Sequence, residues 1–332
     1  MARAKVLVTG VAGFIGSHVA EHCLRAGCDV VGVDDLSGGF RRSVPAGVRF
    51  TVGDLRDPQV IEKLWRDEGS FEVVYHLAAY AAEGLSHQVR RYNYLTNLVP
   101  TVALLNAAIN GGTRHFVFTS SIAVYGTGQL PLREDSVPRP EDPYGIAKYA
   151  CELDLEAAAK TYGIAYTIFR PHNVYGERQN LADPHRNVIA IFLRQGLSGE
   201  PLSVFGDGHQ TRAFTHVDDV APLIAQSPWV DGARNRTFNV GSDDAVRVID
   251  LASEVATALG ISVTVRHLPA RPEVVHAVSD HSRAREVFGV RSTVSLTDGL
   301  RGMAAWARAL EMAPRKPFEG LEIGRPPGGT HG

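Results

Sequence analysis

The sequence predicts an α/β protein: a doubly wound, Rossmann-type parallel sheet with a smaller, discontinuous α/β domain at the C-terminal side. Three observations predict it. Short apolar runs alternate with helical stretches through the first half of the 332 residues. Several of those runs are apolar throughout rather than at every second residue, as in strands covered on both faces. Gly10, Gly13 and Gly16 stand where the first run meets the first helical stretch.

Lys5–Val8 is the first predicted strand, and Phe14–Ala26 the first helix, with Ile15, Val19 and Leu24 on one side. Val30–Val33 and Phe50–Val52 follow as strands. Val73–Leu77 and His115–Phe118 read as buried strands either side of a helix over Thr96–Ile109. Tyr144–Thr161 is a long helix that leads into the strand Tyr166–Phe169. After Arg170 the chain is richer in Gly, Pro, Asn and Arg, until Thr237–Val240 returns to the sheet and Ile249–Leu259 forms a helix. The expected layout is a cofactor domain over 1–170 with a return over about 213–260, and a substrate domain from 171–212 and 261–320. The tail 321–332, with Pro326, Pro327, Gly328 and Gly329, is expected to be loosely ordered.

Composition narrows the function. Hydrophobic residues make up 44% and charged residues 21%, so a sizeable core is available. The 34 basic and 36 acidic side chains nearly cancel and form no blocks, which argues against a nucleic-acid or membrane partner. Cys23, Cys28 and Cys151 lack the spacing of a metal or disulfide framework and fit a reducing compartment. No signal sequence or membrane-spanning run is visible, so a cytoplasmic location is expected. No metal is expected.

The glycine loop predicts the cofactor. Gly10 permits a tight turn, Gly13 lets backbone approach a pyrophosphate, and Gly16 allows close helix–strand packing, while the helix N-terminus attracts phosphate. Asp34 lies at the end of the second strand. A carboxylate there accepts from ribose hydroxyls and repels a 2′-phosphate, which selects NAD. Asp54, with Leu55, follows the third strand, where it can reach the adenine amino group or cap a helix, as can Asp57. Leu77, Ala78 and Ala79 end the fourth strand with little bulk against a dinucleotide.

The second constellation is catalytic. Tyr144 and Lys148 are four apart, on one face of one helix. A neighbouring cation lowers a phenol's pKa, so the phenolate can act as a general base toward a sugar hydroxyl. Ser121, at the end of the fifth strand, adds a hydroxyl to the same sheet edge.

Gly10 to Gly16, Asp34, Ser121 with Val124-Tyr125-Gly126, Tyr144 with Lys148, and Arg170 to Gly176 together resemble the extended short-chain dehydrogenase/reductases. Within them the chain resembles the NAD-dependent nucleotide-sugar epimerase/dehydratase family, nearest to the UDP-glucose 4-epimerases, from Lys5 to about Arg308. The resemblance implies a catalytic set of Ser121, Tyr144 and Lys148. It implies cofactor contacts from Phe14, Ile15, Leu36, Ser37, Gly38, Asn97, Tyr144, Lys148 and Pro171, besides the glycines and acids above. It implies substrate contacts from Ser121, Asn173, the pair Asn187 and Val188, the strand with Ser203 and Phe205, Arg212, Arg271 and Glu273; the loop Tyr80–His87 departs from the family's usual one, and its Glu83 is a further candidate at the substrate. Guanidinium forks suit a sugar diphosphate, which fits Arg212 and Arg271.

Three reactions in such a family start alike and then epimerise, dehydrate or decarboxylate. Relatives that eliminate water place an Asp-Glu pair after the Ser121 position, and decarboxylases a Glu at the second position. Here Ile122 and Ala123 stand there, and neither transfers protons. Epimerisation with tightly held NAD, through a transient 4-keto sugar, is therefore expected. The alternative is a redox-neutral dehydratase or lyase acting on a nucleotide sugar or nucleoside, with Glu83 as acid/base; His87 is a second candidate group on that loop, and a solvated Glu83 is the plain reading. Ala277, counted back from Asp280, implies room for an N-acetyl group at the sugar. The expected partner is a UDP-hexose. A homodimer is expected through Thr96–Ile109 and Tyr144–Thr161, where Val99, Leu104, Ala107, Ala150 and Leu153 form apolar faces that burial within one chain explains equally well.

Overall fold

The computed structural model describes residues 3–128, 130–185, 187–270, 276–277 (backbone), 279–289, 293–311, 314, 318 and 320–324. Seven parallel strands form the main sheet: β1 (Lys5–Thr9), β2 (Asp29–Asp34), β3 (Arg49–Val52), β4 (Val73–His76), β5 (His115–Thr119), β6 (Ala165–Pro171) and β7 (Arg236–Val240). Their order is β7-β6-β5-β4-β1-β2-β3, so the chain winds outward in both directions from β1 and β4. Every residue of β4 and β5 is buried, and β3, at the sheet edge, is the most open. This is the doubly wound Rossmann-type sheet the apolar runs predict, and helices cover it.

Two clusters sandwich the sheet. One face packs Val6, Val8, Val30 and Phe169 against Val19 and Cys23 of α1 (Phe14–Arg25) and Val220 and Ile224 of a helix over Val217–Gln226. The other packs Leu7, Val31, Phe116 and Ile168 against Ile61 and Leu64 of α2 (Pro58–Glu68), Leu104 of a helix over Val99–Asn110, and Leu155 of the long helix Pro143–Tyr162.

A third cluster forms a separate, smaller C-terminal domain. It joins Ile189 and Phe192 of a helix over Val188–Leu197, Leu251 and Val255 of a helix over Val248–Leu259, and Leu300 and Met303 of a helix over Leu296–Arg308. The stretch expected to return to the sheet, 213–260, therefore divides. We place the boundary after Val240, because β7 joins the sheet while Val248–Leu259 buries its apolar face in the smaller domain. The helix expected over Thr96–Ile109 is two helices, Arg90–Asn97 and Val99–Asn110, with Pro100 in the first turn of the second.

Candidate active site

Sheet order puts the C-terminal ends of β1, β4 and β5 side by side, and Gly10, Leu77 to Ala79 and Ser121 follow those ends. Gly10 has φ +70°, and a Cβ on it would stand 2.8 Å from the Ala78 amide nitrogen. A Cβ on Gly16 would stand 2.1 Å from the Gly10 carbonyl oxygen. Only glycine fits either place. Gly13 is the N-cap of α1 and no side chain caps that end, as a pyrophosphate cradle requires. Asp34 is buried; its carboxylate accepts from the Ala12 amide (3.1 Å) and the Leu36 amide (2.8 Å). Burial raises its pKa despite those amides. Asp57 caps α2, so Asp54 is released from that role. Asp54 instead pairs with Arg56, whose guanidinium lowers its pKa.

These residues fit NAD. Gly10, Gly13 and Gly16 leave the room a close backbone approach needs, Asp34 offers acceptors for a ribose, and Ala78 and Ala79 keep the β4 edge shallow. Asn97 is already engaged: its carbonyl accepts from the Tyr80 amide (2.8 Å), and its amide group donates to the Tyr80 carbonyl (3.1 Å) and the Asn93 side chain (2.8 Å). It holds the segment after Ala79 in place.

The catalytic candidates come from β5 and the helix Pro143–Tyr162. Asp142 caps that helix, accepting from the amides of Tyr144 (2.9 Å) and Gly145 (3.0 Å), and Pro143 opens it. Sequence reading passed over Asp142, although an Asp-Pro pair directly before Tyr144 is a helix-start signal. One turn on, Lys148 is buried, with Nζ donating to the Thr119 carbonyl (2.8 Å) and 5.9 Å from the centroid of the Tyr144 ring. Burial pushes Lys148 down to about 8. Ser121 caps the 3₁₀ turn Ile122–Tyr125, its hydroxyl accepting from the Ala123 amide (3.1 Å). The Tyr125 phenol anchors that turn to β7 by donating to Asn239 (2.7 Å), and the Arg170 guanidinium lies 4.6 Å from the ring centroid. A buried ion pair to Glu152 fixes Arg170 (Nε to Oε1, 3.0 Å).

Glu83 opens a short helix, Glu83–Ser86, beside this site. It is exposed, and desolvation by the surrounding protein and the Asp142 charge raise its pKa while Arg212 lowers it. Ser86 links that helix to the Asp142 carboxylate (3.3 Å). Arg212 sits on a short strand, Thr211–Ala213, in parallel register with His276–Ala277, which puts Ala277 beside Arg212. Asn173, at φ +41°, donates to the Ala213 carbonyl (3.1 Å). Asn187 caps the helix that Val188 begins, and donates to the Val174 carbonyl (2.7 Å). Ser203 and Phe205 lie on the strand Leu202–Phe205, the Ser203 hydroxyl accepting from Gln195 (2.9 Å). Arg271 and Glu273 lie outside the described residues. Among the described residues no group of His, Cys, Asp and Glu could hold a metal, and no helix is long and apolar enough to cross a membrane.

Residues 6–241 match the family model described as the NAD dependent epimerase/dehydratase family. A UDP-glucose 4-epimerase of Mycolicibacterium smegmatis is 35% identical over 306 residues, 89% of this chain and 96% of that protein. A UDP-glucose 4-epimerase of Thermotoga maritima, solved with UDP-glucose, superposes with a TM-score of 0.86 at 33% identity, over 92% of this chain and 98% of that one. The Thermus thermophilus UDP-glucose 4-epimerase complex with NAD gives 0.85 at 33% identity, over 92% and 99%. Relatives at 28–29% identity include a UDP-N-acetyl-alpha-D-glucosaminuronate decarboxylase of Bacillus cytotoxicus and a dTDP-glucose 4,6-dehydratase of Streptomyces venezuelae. With its glycine cradle, its buried Asp34 and its Tyr144–Lys148 pair, the chain belongs to the NAD-dependent epimerase/dehydratase family, and NAD is its cofactor.

Proposed function

We propose that this protein is a UDP-hexose 4-epimerase that keeps its NAD through the reaction. The observation that carries the reading is the turn after Ser121. Ile122 and Ala123 occupy it, and it lies against the catalytic helix: a Cβ on Gly145 would stand 2.6 Å from the Ala123 carbonyl oxygen. Neither Ile122 nor Ala123 can protonate a leaving hydroxyl or hold a carboxylate, and the Tyr125 phenol is turned to Asn239. The Tyr144 phenolate takes the proton of the sugar C4 hydroxyl, and the Ser121 hydroxyl shares it. The Lys148 charge keeps the phenolate accessible. Bound NAD supplies a reversible acceptor for the hydrogen at C4. After the ketone turns over, its other face would take the hydride back from the cofactor while Tyr144 returns the proton to the C4 oxygen, and the opposite C4 centre is formed. In support, UDP-glucose 4-epimerases of Mycolicibacterium smegmatis and Streptomyces lividans are 35% and 34% identical to this chain.

The test is to incubate the purified protein, with no added cofactor, with UDP-glucose, UDP-N-acetylglucosamine and UDP-glucuronate. Interconversion of C4 epimers of at least one is expected by NMR. No interconversion of any contradicts the reading.

A second reading rests on Glu83, a carboxyl at the start of Glu83–Ser86, the helix that Ser86 ties to Asp142 at the head of the catalytic helix; desolvation and the Asp142 charge raise its pKa, in the direction a general acid needs. It is a lyase reaction, with loss of one water from the substrate. The two part on Glu83→Gln. Epimerisation predicts kcat within about threefold of wild type, with any change confined to KM. A loss of about 10²-fold or more, with a dehydrated product in the wild-type reaction, supports the lyase.

A homodimer is part of the same proposal. Val99 and Val102 on one helix and Ile146 and Leu153 on its neighbour are 38–49% exposed, an apolar face on the two helices named for it. Leu104, expected on that face, is buried inside the chain instead. Leu153→Glu would place two carboxylates across a two-fold contact. A dissociation constant raised roughly 100-fold or more is expected by sedimentation. An unchanged dimer, or a wild-type monomer, contradicts it.

A further inference from the structure

The C-terminal segment does not hang free at its start. The Glu322 carboxylate accepts from the amides of Arg91 and Tyr92 (2.7 Å each), capping the helix Arg90–Asn97. Val89, at the N-cap of that helix, offers no side-chain cap of its own. The amides of Glu322 and Ile323 donate to the Gln88 carbonyl (2.9 and 3.1 Å). The Phe318 ring meets Tyr80 and Tyr92, with centroids 5.4 and 5.0 Å away, and the two tyrosines meet each other at 5.4 Å. These rings form one apolar cluster with Ala82, Leu85 and Val89.

That cluster adjoins the cofactor groove through two routes. Tyr80 follows Leu77, Ala78 and Ala79 and is held by both ends of the Asn97 amide. Asn97 is bonded to Asn93, which donates to the Pro143 carbonyl at the head of the catalytic helix (2.8 Å). On the other side, the Arg56 guanidinium lies 5.4 Å from the Tyr92 centroid and pairs with Asp54. The tail thus braces the β4 edge and Asp54, two groups assigned here to NAD.

We propose that Phe318 and Glu322 are positioning residues for the cofactor site, a strap that lets this chain retain NAD between turnovers. The inference rests on the resident-cofactor reading above. Tyr80 and Tyr92 are half-buried, and Phe318 closes the aromatic triangle. Glu322 supplies the acceptor that the first turn of Arg90–Asn97 otherwise lacks. Without both, that helix start and Tyr80 are free to shift, and Asn97 and Ala79 shift with them.

The test measures NAD bound per chain after gel filtration, and its release rate into buffer, for wild type, Phe318→Ala, Phe318→Tyr, Glu322→Ala and Glu322→Gln. Phe318→Ala and Glu322→Ala are expected to release NAD roughly tenfold faster. Their kcat should recover with added NAD, with the KM for the sugar unchanged. Phe318→Tyr keeps the ring and should retain NAD as the wild type does, and Glu322→Gln keeps one acceptor and should fall between. Alanine variants that fold and hold NAD as tightly as wild type overturn the strap. Should either fail to fold, Glu322→Gln decides: release at the wild-type rate overturns it. A wild-type protein that emerges without NAD overturns the resident-cofactor reading and the strap with it.

Discussion

Tyr144→Phe is expected to lower kcat by roughly 10³-fold while the protein still carries NAD. In the proposed reaction the phenol oxygen takes the C4 hydroxyl proton, and general-base catalysis is worth about 10²–10⁴-fold. Phenylalanine keeps the ring in its buried place, and the hydrogen bond that the Tyr144 backbone amide donates to the Asp142 carboxylate does not involve the Tyr144 side chain. The helix should therefore start as before. Absorbance of extracted NAD and single-turnover kinetics check the two halves separately. Undiminished turnover means the base is elsewhere. Lost NAD means that the phenol also holds the cofactor.

Lys148→Met is expected to lower kcat by roughly 10²-fold or more and, at neutral pH, to stabilise the cofactor-free fold. Burial holds the folded pKa near 8, against an unfolded value near 10.5. The folded state therefore binds fewer protons than the unfolded state between those values, so stability rises with pH across that window. Below about 8 the buried charge costs roughly 3 kcal/mol. Methionine removes that cost but leaves the Thr119 carbonyl without its 2.8 Å donor, so a net gain of about 1–2 kcal/mol is expected at pH 7. Above about pH 10.5, where the charge cost is gone, only the lost hydrogen bond remains and the variant should be less stable than wild type by about 1–2 kcal/mol. Wild-type kcat/KM should also fall as pH rises through about 8, where Lys148 loses the charge that favours the phenolate. A variant less stable than wild type at pH 7, or a gain that does not change with pH, contradicts the burial argument.

Much of the fold was legible because its signals are local and long. β4 and β5 are buried at every residue, so their apolar runs needed no alternation to be read. The glycine loop was legible because each glycine answers a separate steric demand, seen in the Cβ distances at Gly10 and Gly16. The smaller domain was less so: strands such as Thr211–Ala213 and Ala245–Arg247 are three residues long and take their meaning from pairing with each other. Periodicity also ran through Leu98, joining two helices that part there.

Within the site, Tyr144, Lys148 and Ser121 follow from spacing and position, and the structure brings them to one sheet edge. Asn97 and Asn187 carry roles that local pattern does not show. Both hold backbone, at Tyr80 and Val174, and those partners lie in other elements. The cap that Glu322 gives Tyr92 spans 230 residues and has no local signature, which is why the tail reads as loose from sequence. For Glu322 and Ile323 that expectation is corrected.

The claim at the centre is that the cofactor is a resident catalyst rather than a consumed substrate. UDP-glucose carrying deuterium at C4, incubated with the purified protein in the presence of excess added NAD, tests it most directly. Deuterium recovered at C4 of the UDP-galactose formed, with none in the added NAD pool, is the predicted result. Deuterium appearing in free NADH, or a product that has exchanged it for solvent hydrogen, would contradict it.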